Sequence, residues 1–224
     1  MKLLLPPLLM SCLTLLALPA LANAEKECGT LEWNYGPYDY RSATAQQRKL
    51  VESAHFTAEA ENLKEGPSGS LGSDIKYTLS VFPNHPRALF AMERLVAKEK
   101  RNPAAGATYT IDCFYERAMR YRPDDPVPRL LYVNYLIRQN KLDEARKHLD
   151  YVVETTKDDP LAQFNTGMLY FDMKDYEKAL VQAHRVIDMG FDRRELRDRL
   201  SAVGRWVEPA AADAASAPAS AASQ

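Results

Sequence analysis

Few side chains in this sequence could do chemistry, and their spacing decides which chemistry is open to them. The four histidines, His55, His85, His148 and His184, lie far apart, and none stands at metal-ligand spacing from another histidine, a cysteine or a carboxylate. They are read as surface or junction residues, and replacing His55 is expected to change stability little. Acidic pairs occur at Asp124-Asp125 and Asp158-Asp159, each followed at once by a proline, Pro126 or Pro160. Asp-Asp-Pro reads as a helix start. The second aspartate accepts from the free backbone donors of the first turn, and proline gives up no donor the helix needs there. These carboxylates are caps, not a catalytic or metal pair. Gly66-Pro67-Ser68-Gly69-Ser70-Leu71-Gly72-Ser73 has enough glycine to cradle a phosphate, but it lacks a Gly-Lys-Ser/Thr ending and follows no predicted strand. A plain flexible loop is expected. The inventory therefore predicts no catalytic residue, no metal, no cofactor and no enzyme, and it argues against a peptidoglycan hydrolase in particular.

Cysteine chemistry depends on the compartment. Residues 1–24 have the pattern of a secretory signal peptide: Lys2, then a leucine-rich stretch broken by Pro6, Pro7 and Pro19, then Ala22-Asn23-Ala24 as a small-x-small cleavage site that leaves Glu25 first. The competing reading is a lipoprotein site at Leu9-Met10-Ser11-Cys12, where methionine fits poorly and an apolar run follows the cysteine. A retained anchor falls short of the ~20 apolar residues a span needs, so no membrane span is expected after cleavage. The expected location is the periplasm. Cys28 and Cys113 survive cleavage, and an even number of cysteines in an exported chain predicts a disulfide between them; the alternative is two separate buried thiols. Removing Lys2 leaves 28 basic against 30 acidic residues, a net charge of −2. That balance excludes a strong electrostatic footprint for nucleic acid or an anionic membrane.

The elements that must position these residues are helical. Between Pro126 and Arg193 the chain reads as two copies of one unit, with Pro126 and Pro160, Leu142 and Tyr176, and Ala145 and Ala179 each 34 residues apart. Apolar residues recur at three and four: Tyr132, Val133, Leu136, then Ala145, Leu149, Val152; and Gly167, Tyr170, then Ala179, Ala183, Val186. Two short helices per unit follow. Thirty-four residues before Leu149 and Val152 stand Tyr115 and Ala118, and Pro123 ends that earlier helix.

These residues resemble tetratricopeptide repeats over roughly residues 86–204. Counting from Pro126 or Pro160 as position 1, Gly167 and Tyr170 fall at positions 8 and 11, and Ala145 and Ala179 at position 20. Val133 replaces the small residue of position 8 in the earlier copy. The resemblance implies an all-α, helical-hairpin repeat solenoid. In such a fold small residues let the paired helices approach, and each pair buries its apolar face on its neighbours. From Pro86 to Pro126 is 40 residues, with the six extra placed in the loop Lys100 to Thr108. This assigns helices to Pro86–Lys100 and Tyr109–Arg122, after a helix at Asp74–Val81. A terminal solvating helix is assigned to Asp192–Gly204, with Trp206 over its end.

Residues 25–85 are read as an N-terminal arm and short helices, 86–207 as the repeat domain and 208–224 as a disordered Ala/Ser/Pro tail. The arm is dense in aromatics, Trp33, Tyr35, Tyr38 and Tyr40, with a Gly36-Pro37 turn. It is read either as a cap on its own domain or as a ligand platform that stacks sugars. The Cys-Gly arm, the Gly-Ser loop and the Phe82-Pro83-Asn84-His85 junction together resemble a group of exported proteobacterial repeat proteins.

By resemblance, first-helix side chains at positions 2, 5, 6, 9, 12 and 13 face a concave groove. The predicted site is Asn134, Arg138, Phe164, Asn165, Met168, Phe171 and Arg199. Some members clamp a peptide's terminal carboxylate. Asn134, Asn165 and Arg199 match that pattern, while Leu130 and Glu195 stand where its two lysines would be. The expected function is a periplasmic scaffold that binds a protein or peptide partner, within a cell-envelope complex. The alternative is a glycan-binding or polysaccharide-export accessory that uses the aromatic arm.

Overall fold

The computed structural model describes residues 28–191 and 193–209; the expected signal peptide and the tail beyond Pro209 lie outside the described residues. The described chain is helical, without a strand: α1 (Ala45–His55), α2 (Ala58–Glu61), α3 (Leu71–Val81), α4 (Pro86–Glu99), α5 (Ile111–Tyr121), α6 (Pro126–Arg138), α7 (Leu142–Thr155), α8 (Pro160–Asp172), α9 (Tyr176–Asp188) and α10 (Glu195–Ala202).

The 34-residue register is visible in the backbone. α6 and α8 both start on the proline and run for 13 residues. Lys100, Asn140 and Lys174, each the fifteenth residue counted from its helix-start proline, have φ of 53°, 58° and 62°. Left-handed backbone costs a non-glycine residue about 1–2 kcal/mol. Its return at one register position in three hairpins, at lysine twice and at the more tolerant asparagine once, ties the turn to the repeat register.

The caps match their sequence assignment. Asp159 Oδ1 accepts from the backbone N–H of Leu161 and Ala162, both at 3.0 Å, and Asp125 Oδ1 accepts from that of Val127 at 3.1 Å. In the first hairpin His85 does the same work, its Nδ1 accepting from Ala88 N–H at 3.3 Å. α3 begins three residues before the expected Asp74, because the Ser70 hydroxyl accepts from Ser73 N–H and the helix starts inside the Gly-Ser stretch. α10 is shorter than expected, and Trp206 packs edge-on against His184 with the Arg197 guanidinium over its ring.

The described residues cluster into two compact units, one ending at Leu131 and the other beginning at Tyr132. In the first, α1 and α2 pack on α3, α2 and α3 on α4, and α4 on α5. Ile75, Leu79, Leu89, Met92, Leu95, Ile111 and Tyr115 form the buried interior. The arm is part of this unit. Tyr38 N–H donates to Val81 O at 2.8 Å, and Tyr35, Tyr38 and Tyr40 pack against Val51, Val81 and Phe82. At its start, Cys28 and Cys113 lie at disulfide distance, with Cα atoms 5.1 Å apart. Arg117 donates to Cys28 O and Thr30 O at 2.9 and 2.6 Å, and Arg120 donates to Gly29 O at 2.7 Å.

In the second unit α8 packs on α7 and α9, and α10 packs on both α8 and α9. Leu136, Ala145, Leu149, Tyr170, Ala179, Leu196 and Leu200 are buried. Gly167 is the tightest point: a Cβ there would lie 2.5 Å from Leu196 Cδ2 and 2.9 Å from Gln182 Cβ. Gln163 Nε2 donates to Thr156 O at 2.8 Å and Val153 O at 3.2 Å, which satisfies carbonyls left open at the end of α7.

Candidate functional site

In the second unit the first-helix face is carried by α6 from Tyr132, by α8 and by α10. On α6, Arg138 NH1 donates to Asn134 Oδ1 at 2.5 Å across one turn, and both side chains are exposed. On α8 and α10, three predicted residues form one cluster. The Arg199 guanidinium lies 4.3 Å from the centre of the Phe171 ring, with NH1 3.9 Å from Met168 Sδ. Its NH2 donates to Asp172 Oδ1 at 2.6 Å. Leu161, at the start of α8, is 48 % exposed, and Asn165 is half-buried between these groups along the helix.

Phe164 belongs elsewhere. It is 3 % exposed and meets the Phe191 ring edge-on, centroids 5.8 Å apart, with the Arg193 guanidinium over it. Gly190, at φ 74°, turns the chain after α9, and Phe191 N–H bonds back to Val186 O, which brings this second ring in. Phe164 therefore presents little surface to a ligand. Phe191 follows the helix-ending glycine, and that position is the signal by which its inward return could have been read.

Asp172 changes the electrostatics of the site. It matches the charge of Arg199, so a ligand carboxylate would have to displace a carboxylate already in place. With Leu130 and Glu195 at the two lysine positions, the face lacks both lysines of a carboxylate clamp. An exposed ion pair of this kind contributes about 0–1 kcal/mol, so a ligand could rearrange it at small cost.

A second cluster, in the first unit, joins a serine, a histidine and an aspartate. His55 Nδ1 lies 2.8 Å from Asp74 Oδ1 and 3.0 Å from Ser68 Oγ, and Ser68 Oγ also bonds Asp74. Hydroxyl and carboxylate meet the same ring nitrogen, whereas a nucleophilic triad needs them on opposite ones. The cluster holds structure. Asp74 is 1 % exposed and accepts from Ser68 N–H at 3.2 Å, which ties the Gly-Ser loop over the start of α3. Burial pushes the Asp74 carboxyl up, but the hydrogen bonds from Ser68 and His55 outweigh it and hold the group below its ordinary value. The loop expected to be plain and flexible is thus tied down, and His55, stacked on Tyr77 with centroids 4.0 Å apart, is not a bare surface residue. His55→Ala is now expected to destabilise the first unit by about 1–3 kcal/mol, because it strips a partner from a buried carboxylate. An unchanged denaturation midpoint in urea would count against that role.

Among the described residues no group of three or more His, Cys, Asp or Glu could hold a metal ion. His148 meets Tyr132 edge-on, and His184 Nε2 donates to Val207 O at 2.7 Å. No helix among the described residues is long and apolar enough to cross a membrane.

Residues 114–163 match the family model of the tetratricopeptide repeat. Over that stretch the chain is similar to the tetratricopeptide repeat. No curated protein and no solved structure matches it. Tetratricopeptide repeats serve in general as protein-interaction scaffolds, and the fold is typically non-catalytic. In such repeats first-helix side chains at fixed positions share a face, because each repeat restores the same orientation.

Proposed function

We propose that this protein is an exported periplasmic scaffold that holds an extended, partly apolar segment of a protein partner against the first-helix face of its second unit. The partner belongs to the cell envelope. The observation that carries this reading is the Met168–Phe171–Arg199 cluster with Leu161 on the same helix: apolar surface set beside a guanidinium and an amide. Such a mixture suits a peptide backbone flanked by apolar side chains. Asn134 and Asn165 supply donors and acceptors that bind a backbone without fixing sequence. Because Phe164 is taken up in the interior, Leu161, Met168 and Phe171 select the partner's side chains. Sugar stacking on the arm is disfavoured, since packing occupies its three tyrosines and leaves Trp33, 40 % exposed, as its open ring.

The test is a double substitution. Asn134→Ala with Asn165→Ala is expected to weaken a partner identified by crosslinking in the native envelope by about 1–3 kcal/mol, since each change leaves a polar group of the partner unpaired. The melting temperature should stay close to that of the parent. Equal affinity of parent and double variant would remove this face as the site.

A further inference from the structure

The N-terminal arm is held at its two ends by different chemistry. Its start sits at the Cys28–Cys113 pair and under Arg117 and Arg120, which donate to its carbonyls. Its other end is held by groups that titrate. The Tyr40 ring stacks on His85 with centroids 3.9 Å apart, and its hydroxyl donates to Glu52 Oε1 at 2.9 Å. His85 is fully buried, with Phe56 and Phe82 edge-on around it. Because its Nδ1 accepts from Ala88 N–H, the ring proton sits on Nε2, which donates to Glu52 Oε1 at 3.1 Å. Both ring nitrogens are thus committed in the neutral form. A second proton has to go on Nδ1, where it would meet the Ala88 N–H donor head-on. The α4 cap is then lost, and the ring cannot leave its place unless Tyr40 moves.

We propose that the arm from Leu31 to Arg41 is an acid-released latch, which lifts from the junction Phe82 to Pro86 on acidification while Cys28 stays tethered and the helices stay folded. Release uncovers Phe82 and His85, which Tyr38 and Tyr40 now cover. The charged and titratable groups facing His85 are Tyr40 from the arm, Glu52 from α1, Glu61 from α2 and Arg87 from α4. Arg87 itself pairs with Glu61 at 2.8 Å and Glu52 at 3.5 Å. Burial holds the His85 imidazole below its ordinary value of 6.5, with Glu52 opposing. The latched form therefore has its full advantage above about pH 6.5 and loses it as pH falls through the lowered value. Asp39 is not the trigger. It accepts from Asn84 Nδ2 at 2.7 Å, and Arg41 holds it well below the usual carboxylate range, so it stays ionised throughout that window.

Trp33 reports on the arm once Trp206→Phe has removed the other tryptophan. Between pH 8 and 4, Trp33 fluorescence is expected to change with a midpoint below 6.5, at least about one pH unit above the loss of helical circular dichroism. The His85 ring, followed by NMR, should titrate with the same midpoint. In the same background, His85→Asn keeps a cap acceptor without a titrating ring and should move the transition down by about one pH unit or more. Simultaneous loss of the Trp33 signal and helix would overturn the proposal, as would a transition unchanged in His85→Asn. So would a transition that His55→Asn abolishes, since His55 lies one ring beyond Trp33 through Tyr77. Should His85→Asn not fold, the ring titration of the parent decides alone: a midpoint away from that of Trp33 overturns the latch.

Discussion

Serine at both Cys28 and Cys113 is expected to lower the unfolding free energy of the first unit by up to about 4–5 kcal/mol. A cross-link across a separation of 85 residues removes that much loop-closure entropy from the unfolded chain, in the chain-entropy description. The native contacts around the pair should survive the change, because Arg117 and Arg120 hold the carbonyls of Cys28, Gly29 and Thr30 without help from sulfur. Much of the loss should then appear through the unfolded state, with little change in the folded one. Protein purified from the periplasm should begin at Glu25 and show no free thiol until reduced. Two free thiols in that material would remove the disulfide and the reason to expect any loss in the serine variant.

Gly167→Leu is the other large effect, expected to destabilise the second unit by about 3 kcal/mol, at the upper end of overpacking. The first added carbon already falls 2.5 Å from Leu196 Cδ2 and 2.9 Å from Gln182 Cβ. Leu196 is itself buried, and Gln182 Cβ stands close to its helix backbone, so relief draws on a shift of α10 as well as of the leucine side chain. Moving α10 would also disturb Arg199, so partner binding at the proposed face should fall along with stability. A variant as stable as the parent would show that α10 yields freely and that the hairpin pairing is looser than the close approach at Gly167 implies. Gly190→Leu is a useful comparison: space around that glycine is open, and its φ of 74° makes the substitution a matter of backbone strain instead of crowding.

The sequence by itself determined what depends on local chemistry and on a repeating pattern. Asp125-Pro126 and Asp159-Pro160 specify helix starts because cap and proline act within three residues, and the 34-residue spacing of Ala145 and Ala179 specifies a repeated hairpin because small residues there let its two helices approach. The pairing of Cys28 with Cys113 was open to reading because just two cysteines lie beyond Ala24. Tertiary structure alone decided the rest. His85, whose place in Phe82-Pro83-Asn84-His85-Pro86 parallels Asp125, became a cap because Glu52 accepts from Nε2–H and so leaves Nδ1 as the acceptor for Ala88 N–H. His55 found Asp74 and Ser68 across separations of 19 and 13 residues, which no periodicity encodes. Phe164 turned inward because Phe191 returns after Gly190 to cover it, and Arg199 lost its free charge to Asp172 because α10 packs on α8. In each of these cases the deciding partner lies on another element, and a side chain's role is set by which neighbour reaches it first.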